Sequence, residues 1–378
     1  MVRTNRRMPQ LLMMSLAVVG AWLGISLASC FSAQTSQSAN KPQIANAKVD
    51  ERAAQAGLSQ EVGTWSKASS PARWLGYAVP AANGDRQACC GESGDWNSGK
   101  CGPCRLEGGD HGSSINRRGG DVKLEGPREL VVLLRAQGGN IGKIRVVSED
   151  CTLDAGGLQF TWLSGVNAAD SVKLLEKFVD SKEGDEHGRE RLSRDALMAI
   201  AMHGDASADQ AMAKFTAPDR PEGLRRDAAF WAGEARGVAG VQLLKKMAKE
   251  DPSSEVRAQV TFALSVSSES NAVDEMIRMA HEDSSGHVRG QALFWLAQKA
   301  GKKASSAITG AIENDPDTEV KKKAVFALSQ MPKDEGVPKL IQVAQSNRNP
   351  EVRKQAMFWL GQSNDARALD FFEKVLAK

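Results

Sequence analysis

The amino-acid sequence predicts an α-solenoid of stacked helix pairs preceded by a small Cys/Gly-rich β domain. Three observations carry this. First, the stretch Leu224–Gly233, Leu-Arg-Arg-Asp-Ala-Ala-Phe-Trp-Ala-Gly, recurs at Val256–Ser265, Val288–Ala297, Val320–Ser329 and Val352–Gly361, with a divergent copy at Leu192–Ala201. Arg225, Arg257, Arg289, Lys321 and Arg353 set a period of 32 residues, the signature of supersecondary units that bury their apolar faces only by stacking. Second, every period holds two amphipathic stretches from about Asn167 onward. Third, glycines and five cysteines gather ahead of the repeats, among short β-prone runs.

The chain opens on a targeting segment, residues 1–29. Arg3, Arg6 and Arg7 precede an apolar run, Leu11–Ala28, and then Leu27-Ala28-Ser29-Cys30. Positive charge, an apolar run and small residues before a cut define a secretory signal. The tetrapeptide resembles a bacterial lipobox, which implies cleavage before Cys30 and a diacylglycerol on its sulfur. Ordinary cleavage nearby, or retention of the run as a signal anchor, are the alternatives, since the run is close to spanning length. All three place the bulk of the chain outside the cytoplasm, periplasmic or membrane-anchored, in a bacterium. The three arginines account for the formal charge of +3. The rest is near neutral and shows no basic footprint for nucleic acid.

Residues 30–61, rich in Ala, Gln, Ser and Asn, read as a flexible tether with a weak helix around Val49–Ala56. Residues 62–165 read as the β domain. Strands are expected at Trp74–Val79, Glu129–Arg135, Ile141–Val147 and Leu158–Leu163, with a hairpin turn at Gln137-Gly138-Gly139-Asn140. Between them lies a long loop, Asn83–Gly120.

Residues 166–378 carry the repeats. In each second helix Ala196, Ala228, Val260, Ala292, Ala324 and Ala356 form a small-residue column. Ile200, Ala232, Leu264, Leu296, Leu328 and Leu360 lie four positions on, on the same face. An acidic or amide residue precedes each later basic one by six: Asp219 with Arg225, Asp251 with Arg257, Asp283 with Arg289, Asp315 with Lys321, Asn347 with Arg353. Such pairs can ladder from one turn of a solenoid to the next. A helix near Ala366, with Leu369, Phe372, Val375 and Leu376, would close the last apolar face. These residues, and the pattern Asp251-x-x-x-Glu255-Val256-Arg257 in particular, resemble HEAT repeats of the short bacterial type also seen in phycobilisome lyases. The resemblance covers about Asp170–Lys378. It implies a right-handed superhelix whose second helices line the concave face.

Two aromatic columns lie beside the core columns. Met198, Phe230, Phe262, Phe294, Phe326 and Phe358 recur every period, while Ala199, Trp231, Ala263, Trp295, Ala327 and Trp359 alternate small and large. Inter-repeat core is one reading. The other is an aromatic groove for an extended protein segment, with Phe262, Trp295, Phe326 and Trp359 on or near it.

Cys101-Gly102-Pro103-Cys104 spells the thioredoxin tetrapeptide, which lowers a thiol pKa, but no strand leads into it and Gly108-Gly109 cannot open a long helix. Cys89, Cys90, Cys101 and Cys104 could hold tetrahedral zinc. In an exported chain structural disulfides are the expectation, with Cys151 as an alternative partner. Deoxyhypusine hydroxylase, a HEAT-repeat protein, holds two irons with His-Glu dipeptides at the starts of second helices. The matching positions here, from Arg194-Asp195 to Lys354-Gln355, hold none, and His281-Glu282 falls in a predicted interhelical loop. The expectation is a non-catalytic scaffold without a cofactor, binding a protein partner in the cell envelope. A thiol-redox or zinc-dependent role of the Cys-rich loop is the alternative.

Overall fold

The computed structural model describes residues 41–378, apart from 69, 83–85, 91–93, 96–99, 102, 108–112, 118–127, 182–184, 300 and 378. The targeting segment and Cys30 lie outside the described residues. The described chain opens with β1 (Ile44–Ala45), β2 (Val49–Ala53), α1 (Leu58–Lys67) and β3 (Arg73–Pro80). Five short strands cross the Cys-rich region: β4 (Arg86–Cys90), β5 (Gly94–Asp95), β6 (Lys100–Cys101), β7 (Cys104–Arg105) and β8 (Ser113–Arg117). Then come β9 (Glu129–Gln137), β10 (Asn140–Ser148), β11 (Leu153–Asp154) and β12 (Gln159–Ser164).

The main sheet runs β10-β9-β3-β12-β2. β9 is antiparallel to β10 and β3, and β12 is parallel to β3 and β2. The apolar run Leu130–Leu134 explains why β9 is central. Leu130, Val132 and Leu134 enter one core, and Val131 and Leu133 the other, as in a sheet covered on both faces. Gly138 and Gly139 turn the β9–β10 hairpin with φ of 60° and 88°, the two positive angles a primed two-residue turn requires. At Gly76 a Cβ would stand 2.8 Å from the Phe160 ring on the adjacent strand, so glycine leaves that ring its room.

One face of the sheet packs on α1, through Leu58, Val62 and Trp65, and on the first solenoid helices. The other is covered by a three-stranded sheet, β1-β11-β7. Glu107 fastens that cover: it accepts from Trp74 Nε1 (2.8 Å) and from Arg135 Nε and Nη2 (2.8 and 3.2 Å).

Two expectations are corrected here. Residues 44–45 and 49–53 are strands and not tether or weak helix, and β2 pairs in register with β12 from Val49↔Phe160 to Ala53↔Ser164. β2 is almost wholly exposed, so its pairing comes from the open backbone edge of β12 and leaves no apolar alternation to read. The region Asn83–Gly120 is not one long loop either, since β4 pairs with β8 and β5 with β6. The sheet unit thus begins near 44 and not at 62. Nor does its core stop at 165, because one buried cluster runs from Leu58 and Leu75 into the repeats.

α2 (Ala168–Val179) and α3 (Glu186–Ala201) meet the sheet through a buried polar relay. His203 Nδ1 lies 2.6 Å from Ala199 O, so it carries the proton and donates. Burial, ahead of all else, lowers the pKa of this imidazole to about 4, so the ring is neutral and Nε2 accepts. Ser171 Oγ therefore donates to Nε2 (2.8 Å), and Tyr77 Oη donates to Ser171 Oγ (2.8 Å). Backbone bonds Gly204 N to Pro80 O and Ala82 N to Met202 O, both 2.7 Å, stitch the same seam.

The remaining helices are α4 (Ala206–Phe215), α5 (Glu222–Ala235), α6 (Gly237–Glu250), α7 (Ser254–Val266), α8 (Asn271–Glu282), α9 (Gly286–Lys299), α10 (Gly301–Asn314), α11 (Thr318–Ser329), α12 (Lys333–Ser346), α13 (Pro350–Gln362) and α14 (Ala366–Leu376). α2 to α13 form six pairs, and α14 closes the stack. Polar N-caps start four of the six second helices: Asp185 accepts from Gly188 N, Ser253 from Val256 N, Asp317 from Glu319 N and Asn349 from Glu351 N. The small-residue column from Ala196 to Ala356 is fully buried. α14 buries Ala368 and Phe371 and leaves Leu369, Val375 and Leu376 exposed, so these three do not close the last face as expected. Among the described residues no helix is long and apolar enough to cross a membrane.

Candidate partner-binding surface

Two residues beyond the small column is roughly 200° round a helix. The Phe column therefore points away from the first helices. The sequence left open whether it is core or groove, and the geometry has features of both. Phe230, Phe262, Phe294 and Phe326 are half-buried, as are Trp231, Trp295 and Trp359, while Phe358 is 54% exposed. The tryptophans also pack against the core from its edge.

The rings touch in an unbroken series. Trp231 stands edge-on to Phe230 (4.9 Å between centroids), and Phe230 stacks on Phe262 of the next helix (5.8 Å, 13°). Phe262 meets Trp295 (4.8 Å), which stands edge-on to Phe294 (4.8 Å). Phe294 stacks on Phe326 (5.9 Å, 5°), Phe326 meets Trp359 (4.9 Å), and Phe358 closes the series (5.0 Å). The alternation of Ala with Trp has its reason here. Trp295 and Trp359 each lean back across the seam onto the Phe of the preceding, Ala-bearing repeat, while Trp231, whose preceding repeat carries Met198, meets Phe230 of its own helix. Eight rings thus line one side of five consecutive second helices, in offset and edge-on contacts that favour aromatic pairs.

Amides and charges flank the rings at i−3, i−4 and i+4: Gln259, Gln291 and Gln355, then Gln298, Gln330 and Gln362, with Lys322, Lys323 and Lys354 toward the C-terminal end. Lys322 is bridged to Glu319 (2.9 Å). At the N-terminal end stand two carboxylates that sequence reasoning missed. Burial pushes Asp195 up to about 6, against the pull of Arg191, Arg194, Arg145 and Lys143. Burial likewise raises Asp227, opposed by Arg194 and Arg226. Neither shows in the sequence, because the sheet that buries Asp195 comes from elsewhere in the chain.

The acidic–basic pairs do form a ladder, one rung out of step with the sequence pairing. Arg225 grips Asp251 of the next repeat through Nε and Nη2 (2.8 and 3.2 Å), Arg257 grips Asp283 (2.8 and 3.0 Å), and Arg289 grips Asp315 (2.7 and 2.9 Å). What lies six residues back supplies its backbone: Arg257 Nη1 donates to Asp251 O, Arg289 Nη1 to Asp283 O and Arg353 Nη1 to Asn347 O. Asp219 is exposed, since Ser193 in the preceding repeat offers no guanidinium. The ladder ends at Lys321, which donates to Glu313 O (2.8 Å). Burial alone would raise Asp315, but the hydrogen bonds from Arg289 outweigh it and hold the carboxyl below its ordinary value.

The cysteine expectations divide. Cys151 is a free, buried thiol that donates to Ala88 O (3.5 Å), and burial raises its pKa to about 12. It is neither a bridge partner nor a thiolate. Cys104 is disulfide-bonded, which removes its sulfur from a zinc set. The side chains of Cys89, Cys90 and Cys101 lie outside the described residues. Around the Cys-Gly-Pro-Cys stretch, β6 ends at Cys101 and β7 begins at Cys104. His281-Glu282 ends α8 and is not in a loop. Among the described residues no group of three or more metal-ligating side chains comes together.

Residues 241–329 and 305–378 match the family model of HEAT repeats. No curated protein matches the chain. Human deoxyhypusine hydroxylase, in a structure with glycerol, shares 16% identity over 56% of this chain and 80% of its own, with a TM-score of 0.29. Escherichia coli YibA shares 18% over 55% and 76%, with a TM-score of 0.33. The CpcE–CpcF complex of phycocyanin lyase from Nostoc sp. PCC7120 shares 18% over 53% and 79%, with a TM-score of 0.31.

Proposed function

From a chain whose residues 241–378 are HEAT repeats, we infer a scaffold that holds a protein partner against the aromatic side of its second helices. It works in the bacterial cell envelope and without catalysis. The aromatic series from Trp231 to Phe358 carries this reading. These rings touch one another across the repeat seams and each keeps part of its surface exposed. Large, rigid, half-exposed aromatics with amides beside them are what a protein interface uses for anchoring. The envelope setting rests on the targeting segment and on Cys30 as the acylated N-terminus, which the mass of the mature N-terminal peptide would test.

The interface is tested by site-directed photocrosslinking in envelopes, with the reactive residue placed at Phe358 or, on first-layer helix α6, at the exposed Val238. A discrete protein adduct from position 358 alone is expected. It should fall at least tenfold when Trp295 and Trp359 are both replaced by alanine, with helical circular dichroism retained. The same adducts from both positions, or an adduct indifferent to the two tryptophans, would sink the groove. Collapse of the helical signal in that variant would mark the rings as core.

A further inference from the structure

A helix C terminus leaves carbonyls without intrahelical partners. In alternate repeats this solenoid fills them with a cation from farther along the chain. At the end of α3, Arg236 Nη1 donates to Ala201 O (3.1 Å) and to His203 O, while Nε holds Asp209 (2.8 Å). At the end of α7, Lys299 Nζ donates to Ser265 O (2.7 Å), Leu264 O (3.3 Å) and Ser267 O. Ala201 and His203 occupy the same two positions as Ser265 and Ser267, 64 residues earlier. That is the double period already set by Trp231, Trp295 and Trp359.

The third member of the series is the end of α11, where Ser329 and Met331 hold those positions. Lys299 is replaced there by Ser363, whose hydroxyl turns back to donate to Leu360 O of its own helix (2.7 Å). Where the ammonium would stand is a cleft of about 210 Å³, lined by Leu328, Ser329, Met331, Trp359 and Ser363, with the exposed Lys333 beside them. Trp359 Nε1 is buried there with no hydrogen-bond partner. Lys333 helps Arg367, the larger cause, to hold Asp365 at about 2, so an acidic group already faces its charge.

We propose that this cleft receives a lysine side chain of the protein partner, whose ammonium takes the place that Lys299 fills two repeats earlier. Three ammonium hydrogens suit a cluster of carbonyl oxygens, and the negative end of the helix dipole favours the charge. Leu328, Met331 and the Trp359 ring take the methylene stem. A neighbouring main-chain carbonyl of the partner gives Trp359 Nε1 its acceptor, which a free amine could not do. The proposal rests on the scaffold reading but needs no partner for its test.

The test titrates the mature chain with N-acetyl-lysine methylamide and with N-acetyl-norleucine methylamide, which keeps the four-carbon stem and lacks the ammonium. The readout is the Trp359 indole N–H resonance, assigned by its loss in Trp359→Phe. A saturable shift with the lysine compound, at least tenfold weaker with norleucine, is expected. Ser363→Lys supplies the ammonium internally and should abolish the response while raising the thermal midpoint. Lys299→Ser should open a second site, read at Trp295. Equal responses to both compounds, no saturable response, or an unchanged response in Ser363→Lys overturns the proposal. If Phe358 still crosslinks, that failure touches the lysine receptor alone. A lysine response with no Phe358 adduct keeps the receptor and removes the groove.

Discussion

Asp251→Ala is expected to destabilise the solenoid by about 3–5 kcal/mol, the cost of leaving a buried guanidinium without its carboxylate. The Arg225 and Asp251 side chains are 7% and 1% exposed, so water cannot replace the lost partner. Asp251 also accepts from Ser253 N (2.9 Å) and so shapes the turn into α7. Asn347, four rungs on from Asp219, shows that an amide can keep that turn, accepting from Asn349 N (3.0 Å). The double variant Arg225→Met, Asp251→Asn removes both charges and keeps the turn, so it should recover most of the loss. Because each repeat leans only on its neighbours, Asp251→Ala should also split urea unfolding into two steps, monitored by circular dichroism. A single transition within about 1 kcal/mol of the parent would show that the ladder adds little. Farther along, Asp315 gives the ladder its pH dependence. Its depressed pKa contributes stability above about pH 3.8, and this is lost as pH falls through the lower folded value.

The same rungs show what the sequence discloses. A period of 32 residues is written in the Arg and Asp columns, so the helix pairs and their stacking could be read directly. The sequence pairs each arginine with the nearest acid, six residues back. The fold puts the next repeat's acid closer, because the loops stack on one another. The Ala/Trp alternation was visible as a superperiod. Its geometry, Trp295 and Trp359 each crossing a seam to a Phe, needed three dimensions. The central strands β3, β9, β10 and β12 announced themselves as apolar runs. β2, Val-Asp-Glu-Arg-Ala, could not, since an exposed edge strand is recruited through its backbone. Lys299 and Arg236 were silent for another reason: each breaks its column, and only the carbonyls they reach explain why.

Between pH 6.5 and 4 the stability of the parent chain is expected to change little, because the partly buried Asp195 within α3 and the buried His203 just after it oppose each other. His203 has its pKa lowered to about 4, burial being the main cause. The folded state then binds fewer protons than the unfolded one over that window, so acid takes stability away. At about 1.4 kcal/mol per pH unit this amounts to roughly 3 kcal/mol. Asp195 is raised to about 6, again by burial. Here the folded state binds more protons, so acid adds stability, by about 3 kcal/mol between pH 6 and 4. Asp227, raised for the same reason, acts in the direction of Asp195. Replacing either group should expose the other. His203→Asn should grow more stable on acidification, and Asp195→Asn less stable, each by about 3 kcal/mol relative to its own value at pH 7. Urea midpoints at pH 4, 5, 6 and 7 would read this; parallel pH profiles for both variants and the parent would refute it. The sign of the Asp195→Asn slope bears on more than stability. The His203 ring receives the proton of Ser171, which in turn accepts from Tyr77. Protonation of the ring would remove that acceptor and break the relay joining sheet to solenoid. Asp195, meanwhile, stands in the column beside Met198 at the head of the aromatic series. Acid therefore loosens the seam at one residue and tightens the helix at another eight positions away, and the two effects offset each other across the range.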